Sequence, residues 1–136
     1  MKLLMFGVKE FWYKTFSKTI ENEKDFDLEE KIENAVVVFL NAEKEDENRM
    51  VKVISEAIGN IKWLAKKNDT NNIVLHSFAH LSDSKSSIEF AKELISKMGE
   101  KLSSHEFNTT ITPFGYFLEF KIHVKGESIG KVWKAI

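Results

Sequence analysis

The chain has 136 residues, 43% of them hydrophobic and 30% charged, and its formal net charge is -1. This length fits one domain with a single core, and the balanced charge excludes the general basic field that would hold a long nucleic acid. Because the chain has no cysteine, disulfides, thiolate zinc sites and cysteine nucleophiles are excluded, and no stretch is long and apolar enough to span a membrane.

The N-terminal part of the chain is predicted to be mostly strand. Residues 3–8 have the composition of a buried strand, and residues 11–16 are predicted to pair with it across a turn near residues 8–10. The apolar run is too short for a secretory signal, so we expect the protein in the cytoplasm. The charged stretch 19–34 has no periodicity and is predicted to be a loop with at most one helical turn.

A strand and a helix are predicted next. Residues 35–42 (AVVVFLNA) form a β-branched run that is typical of a strand covered on both faces. The charge cluster at residues 43–48 is predicted to be a solvated loop. Residues 49–67 are predicted to be a helix because their apolar residues recur at helical spacing. This apolar stripe comprises Met50, Ile54, Ala57, Ile58, Ile61 and Leu64.

A second strand–helix unit and further strands complete the chain. Residues 73–77 are predicted to be a buried strand, and residues 87–103 a helix with a capping box made by Ser86 and Glu89. The apolar stripe of this helix comprises Ile88, Ala91, Leu94, Ile95, Met98 and Leu102. Strands are predicted at residues 106–112 and 117–124, and the last residues are ambiguous between strand and short helix. This order predicts one α+β or layered α/β domain with a mixed sheet over residues 1–136.

The four histidines are the first candidates for chemistry. His105 and His123 have surface-like contexts, and His76 lies inside a predicted strand, where a structural role is the better interpretation. His80 follows that strand and precedes a helix, a position that commonly lines a crevice in open α/β sheets. No histidine pair has the spacing of a metal site, and the glycines are too scattered for a phosphate-binding loop, so no metal or cofactor is expected.

The stretch ITPFGYFLEFKI, residues 111–122, is the second candidate. Pro113, the only proline, forces the preceding residue into an extended conformation, and Gly115 permits a backbone geometry closed to other residues. Phe114, Tyr116 and Phe117 surround this glycine with flat surfaces. The pattern fits either a slot in which a base stacks while main-chain groups hold its polar atoms, or a simple turn before a core strand.

FAHLSD (residues 78–83) and TPFGYF (residues 112–117) together resemble the archaeal editing domain of threonyl-tRNA synthetase. VVVFLNAEKEDEN (residues 36–48) is similar to that family's strand and acidic loop, and the resemblance covers nearly the whole chain. It implies the fold of D-aminoacyl-tRNA deacylases, layered as sheet, sheet and helices with two main helices. It also implies a homodimer and the hydrolysis of serine wrongly attached to threonine tRNA.

The same resemblance implies a pocket for the terminal adenosine and its aminoacyl ester, at the 3′ end of an aminoacyl-tRNA, read mainly by main-chain groups. Carried onto this sequence, the pocket comprises Ala42, Ala79, His80, Phe114, Gly115, Tyr116 and Phe117. His80 is the candidate catalytic residue. A pocket with no room for one methyl group would reject threonine sterically. Such a second sieve is needed because one methyl group changes binding by only about 1–3 kcal/mol.

Three positions depart from the family pattern. Leu118 stands where the family has a lysine that helps to place the attacking water, Lys131 aligns with an acidic residue, and Gly7, Val8 and Lys9 align with a polar turn. Alternation puts Leu118 on an apolar strand face and Lys121 on the opposite one. Losing an acid–base group costs about 10²–10⁴-fold in rate, so weakened hydrolysis is expected.

Three functions therefore stay open. The leading hypothesis is a free-standing paralogue of the editing domain that deacylates mischarged tRNA in trans. The alternative is a non-catalytic module that binds an aminoacyl-adenosine end or partners a synthetase. The third is a structural domain whose pocket is filled by its own side chains.

Overall fold

The computed structural model describes residues 1–136, and six strands form one mixed sheet. The strands are β1 (Lys2–Lys18), β2 (Glu29–Asn41), β3 (Asn72–Ser77), β4 (Asn108–Ile111), β5 (Tyr116–Val124) and β6 (Lys131–Ala135). Their order is β4-β3-β2-β1-β5. β5 and β6 share one edge of β1, where β6 pairs with its first residues and β5 with the residues that follow. β2, β3 and β4 are parallel to one another, whereas β1 is antiparallel to β2, β5 and β6.

Two helices, α1 (Met50–Lys67) and α2 (Ile88–Ser104), cover one face of this sheet. Their apolar stripes pack on alternate residues of β1, β2 and β3, such as Leu3, Val38 and Leu75, in the larger of two cores. The predicted helices are confirmed, and five of the six residues predicted for the α1 stripe are buried. In the α2 stripe four of the six predicted residues are buried, whereas Ala91 is partly buried and Ile88 is exposed. Neither helix is both long and apolar enough to cross a membrane.

The sheet curls over itself on its other face. The rings of His76 on β3 and Phe120 on β5 have centroids 6.3 Å apart, although these strands are three positions apart, about 14 Å in a flat sheet. A second core of β1, β2 and β3 residues, including Phe11 and Val37, is buried there without any helix over it. The predicted α+β class, mixed sheet and sheet–sheet–helix layering are confirmed, with both sheet layers belonging to one curled sheet.

The predicted pair of N-terminal strands is wrong, because β1 is one continuous strand. Its pairing with β5 shifts by one residue between Val8 and Glu10, which is the signature of a β-bulge. The bulge lets Val8 and Phe11, three residues apart, both point into the second core. Opposite it, Asn34 of β2 adopts a left-handed φ of 48°. The pattern that suggested a turn therefore marks a bulge.

Three local predictions also need correction. The stretch 19–34 is not all loop, because β2 begins at Glu29 and pairs with β1, where Trp12 Nε1 donates to a Glu29 carboxylate oxygen at 2.8 Å. The N-cap of α2 is Ser87 rather than Ser86, and its hydroxyl accepts from the N–H of Phe90 at 3.2 Å. The charge cluster forms a 3₁₀ helix, Lys44–Asn48, and buries Asp46 completely.

Candidate functional site

A cavity of about 320 Å³ lies where the carboxyl ends of β2 and β3 meet the first turn of α2 and the β4–β5 loop. All seven residues predicted for the pocket line it: Ala42, Ala79, His80, Phe114, Gly115, Tyr116 and Phe117. Sequence-distant segments are brought together here because parallel strands end at the same edge of the sheet. The cavity is open, so it is not filled by the protein's own side chains.

Main-chain donors are available around this cavity. The amides of Ala79, His80, Phe114 and Gly115 donate no hydrogen bond within the chain. Unpaired N–H groups of this kind would be costly in a closed core, but here they lie in loops that line an open space. They are therefore unpaired donors beside an open space.

Gly115 has a left-handed φ of 81°, and a Cβ built there would lie 3.1 Å from Ile20 Cδ1 and 3.0 Å from Glu23 Cγ. These contacts belong to the turn after β1, and the N–H of Thr19 donates to the carbonyl of Gly115 at 2.7 Å. The glycine is thus required for the loop to pack on this turn. The left-handed φ agrees with the sequence-based prediction that this position needs a backbone geometry closed to other residues.

The aromatic residues beside Gly115 have different roles. The Phe114 side chain packs on the helix-side core. The Tyr116 hydroxyl donates to the carbonyl of Lys24 at 2.7 Å and accepts from the N–H of Phe26 at 2.8 Å. Phe117 is 61% exposed. Only Phe117 therefore has the free surface expected of a stacking platform, and the other two hold the loop in place.

Two histidines line the cavity. His80 is exposed and its ring lies edge-on to Phe78, with centroids 5.2 Å apart. His76 is buried, and its Nδ1 lies 2.9 Å from Oγ1 of Thr112. The structural interpretation of His76 is correct for Nδ1, but its place in the cavity wall was missed. The sequence did contain an indication of this role, because His76 lies near the carboxyl end of a buried parallel strand. The same indication was considered for His80 alone.

The three departures from the family pattern lie in different places. Leu118 lines the cavity and packs against the second core. Lys131 does not line it, and its ammonium group donates to the carbonyl of Lys125 at 3.3 Å. Gly7 lies against Asn68, whose Oδ1 would clash with a Cβ at that position. Only Leu118 changes the lining of the cavity in this chain.

The loop that carries Ala79 and His80 is held by an ionic network. Ser82 Oγ donates to Glu43 Oε2 at 2.6 Å, while Oε1 of the same carboxylate lies 2.7 Å from the amino group of Met1 and 2.9 Å from Lys2 Nζ. Burial alone would raise the pKa of Glu43, but hydrogen bonds from the Met1 amine, Ser82 and Lys2 lower it to about 2. Glu43 therefore stays charged and fixes the loop. This residue was missed because it was assigned to a solvated loop.

Residues 1–136 match the family described as the Archaea-specific editing domain of threonyl-tRNA synthetase. The chain is 30% identical over 139 residues to a threonine–tRNA ligase of Thermococcus onnurineus, and 32% identical over 136 residues to one of Methanococcus aeolicus. Both alignments take in 100% of this chain and 22% of the ligase. The chain thus spans about a fifth of the length of these curated relatives.

The fold is similar to a solved structure titled "c-Myc DNA Unwinding Element Binding Protein", with a TM-score of 0.69. The match covers 100% of this chain and 99% of that chain at 12% sequence identity. At this identity the likeness concerns the fold alone, which is that of the D-aminoacyl-tRNA deacylases.

Proposed function

The chain belongs to the archaea-specific editing-domain family of threonyl-tRNA synthetase, and we propose that it hydrolyses serine from mischarged threonine tRNA in trans. The observation that carries this proposal is the open cavity around residues 79–80 and 114–117. Its volume of about 320 Å³ falls within the usual range for small-ligand sites. A terminal nucleoside with a small aminoacyl ester is a ligand of suitable kind.

The free main-chain amides support this assignment. Adenine and ester are common to every aminoacyl-tRNA, so amides of Ala79, His80, Phe114 and Gly115 can bind them without side-chain specificity. Ala42 and Tyr116 would complete the walls, and the exposed ring of Phe117 would stack on a base. His80, at the open side, would contact the aminoacyl group and is the catalytic candidate named from the sequence.

Selectivity for serine would be steric. Serine lacks the methyl group of threonine, and a wall with no room for this group excludes threonine, whereas binding alone distinguishes one methyl group by only about 1–3 kcal/mol. We propose a slow reaction, because Leu118 supplies no charge to the cavity and no carboxylate lines it. The protein would act in the cytoplasm, where tRNA is charged, as a homodimer and alongside a synthetase in trans.

Single-turnover deacylation tests this function. Purified protein is mixed with tRNA carrying radiolabelled serine, and in parallel with tRNA carrying threonine, and ester loss is followed against buffer alone. We expect slow release of serine and release of threonine at the buffer rate. Equal release of both amino acids, or serine release no faster than in buffer, would contradict the proposal.

The second candidate is a module that binds the aminoacyl-adenosine end without hydrolysing it. It is favoured by the apolar Leu118 and by the lack of any carboxylate in the cavity. Calorimetry with a non-hydrolysable seryl-adenosine amide separates the two functions. Binding of this amide combined with serine release at the buffer rate would establish the module, whereas binding with release supports the enzyme.

A further inference from the structure

The side chain of His76 lies inside the second core but reaches the wall of the cavity. Alternation along β3 places it on the same sheet face as Val74. Its ring centroid is 4.9 Å from that of Phe39, 6.1 Å from that of Phe78 and 6.3 Å from that of Phe120. Three aromatic rings therefore fix the imidazole, which is only 7% exposed.

The two ring nitrogens of His76 have different surroundings. Nδ1 lies 2.9 Å from the hydroxyl oxygen of Thr112, which itself donates to the carbonyl of Leu75 at 3.5 Å. Nε2 has no partner within the chain. It is not fully enclosed either, since the only enclosed unpaired side-chain atoms are Arg49 Nε and Thr109 Oγ1. Because His76 lines the cavity, this accessible edge faces it.

The contacts of Thr112 favour one tautomer of His76. When the Thr112 hydroxyl is turned towards the Leu75 carbonyl, its oxygen accepts the Nδ1–H of His76 and Nε2 keeps its lone pair, and this is the tautomer that we infer. Burial lowers the pKa of His76 to about 4, so the ring is neutral at physiological pH. The cavity thus holds a preoriented acceptor nitrogen.

We propose that Nε2 of His76 binds the attacking water in the cavity and takes its proton during hydrolysis of the aminoacyl ester. This inference rests on the proposed function. The water oxygen forms a bond to the ester carbonyl carbon while its proton moves to Nε2. The bond from that carbon to the ribose oxygen then breaks, and the imidazolium returns the proton to this oxygen. Free serine and an intact tRNA 3′ end leave, and His76 is neutral again.

No other group in the cavity has these properties. The remaining titratable side chains that line it are His80, Lys85 and Tyr116. The His80 ring is exposed and has no hydrogen bond that would fix a tautomer. The Tyr116 hydroxyl already donates to the carbonyl of Lys24 and accepts from the N–H of Phe26, and an ammonium group such as that of Lys85 has no lone pair. His76 alone offers a held, unprotonated nitrogen.

Two variants separate the nitrogens. In His76→Asn the amide occupies the position of Nδ1, so the contact with Thr112 can be kept while the Nε2 position is emptied. In His76→Gln the longer side chain places an oxygen near the Nε2 position, where it can hold a water but is a poor base. His123→Asn, on an exposed strand residue outside the cavity, is the matched control.

The expected result in single turnover is a loss of about 10²-fold for His76→Asn, the lower end for general-base catalysis, with an intermediate rate for His76→Gln. Binding of the seryl-adenosine amide should be unchanged in all three variants, which separates a chemical role from loss of folding. A wild-type rate for His76→Asn would overturn the inference and leave the proposed function intact. A loss of rate that is accompanied by an equal loss of affinity for the amide would do the same.

Nitrogen-15 NMR of the wild-type imidazole gives a readout independent of rate. We expect the Nδ1–H tautomer, and an Nε2 resonance that moves when the seryl-adenosine amide and its bound water fill the cavity. An Nε2–H tautomer, or an Nε2 resonance indifferent to the amide, would overturn the inference. If the wild type binds the amide but releases no serine, the proposed hydrolysis itself fails, and the base role fails with it.

Discussion

The amino group of Met1 lies 2.9 Å from Oδ1 of Asp46, and neither residue is exposed to solvent. The same carboxylate oxygen lies 3.3 Å from the guanidinium of Arg49, which also donates to the carbonyl of Ile136 at 2.8 Å. The second carboxylate oxygen accepts from the N–H of Glu43 at 2.7 Å. A buried carboxylate thus joins the first strand, the 3₁₀ helix and the last residue.

Replacing Asp46 by Asn should lower the free energy of unfolding by about 1–3 kcal/mol, because the buried Met1 amine and Arg49 lose a charged acceptor, although Glu43 still pairs with the amine. Urea denaturation measures this change. Glu93→Gln is the control, since Glu93 pairs with Lys97 on an exposed helix face, where such pairs contribute less than about 1 kcal/mol. Equal losses of unfolding free energy in the two variants would show that the buried pair stabilises the fold no more than the exposed pair does.

Glu43 should make stability depend on acidic pH. Its pKa is about 2 in the folded protein against an ordinary 4.5, so its contribution is complete above pH 4.5 and is lost as the pH falls towards 2. Urea midpoints at a series of pH values should fall more steeply in this window for wild type than for Glu43→Gln. Parallel pH curves for the two proteins would contradict the assignment.

Gly115→Ala should destabilise the protein by about 1–3 kcal/mol, because an alanine is strained at a left-handed φ and its Cβ would crowd Ile20 and Glu23. Gly126→Ala is the matched control, since no atom lies within 4 Å of a Cβ there. Thermal unfolding should show a lower midpoint for the first variant and little change for the second. A loop that needed Gly115 only to admit a ligand would leave both midpoints unchanged.

Leu118→Lys should raise single-turnover release of serine by about tenfold, below the 10²–10⁴-fold typical of a general acid or base. Leu118 lines the cavity, and a lysine stem can lie along its apolar wall while the ammonium group holds a water. Glu119→Lys adds a cation on the opposite strand face and should leave the rate unchanged. A rate for Leu118→Lys no higher than wild type would show that the missing charge does not limit hydrolysis.

A symmetric dimer is expected in solution. Phe16 and Trp133 are each more than half exposed, and the outer edge of β5 has no partner strand. Sedimentation equilibrium at micromolar concentration should give twice the chain mass of 15.7 kDa. A mass of one chain across this concentration range would rule the dimer out.

Sequence reasoning succeeded where one local pattern decides the structure. The helix predicted at residues 49–67 begins at Met50 and ends at Lys67, because its apolar spacing is set within the helix. The seven residues that line the cavity as predicted come from three stretches of sequence, and these stretches were brought together by the family that they resemble. Leu118 was placed correctly on the inner strand face by alternation alone.

The failures involve partners distant in the sequence. The bulge in β1 depends on pairing with β5, which the residues around Val8 do not encode. Asp46 is buried by an amino group 45 residues away, so its local sequence resembles a solvated loop. His76 was judged by its own strand, whereas its accessible nitrogen depends on the curl that brings Phe120 beside it.

The pairing of β1 also sets the order in which the protein can fold. One edge of β1 is paired with β2, but its other edge is paired with β5 and β6, which are synthesised after every other strand of this sheet. Until then the nascent chain carries an unpaired edge, the kind of surface that invites aggregation. Because β5 and the loop before it also supply Gly115 and Leu118, a growing chain has no cavity. Formation of the cavity therefore requires β5 to be in place.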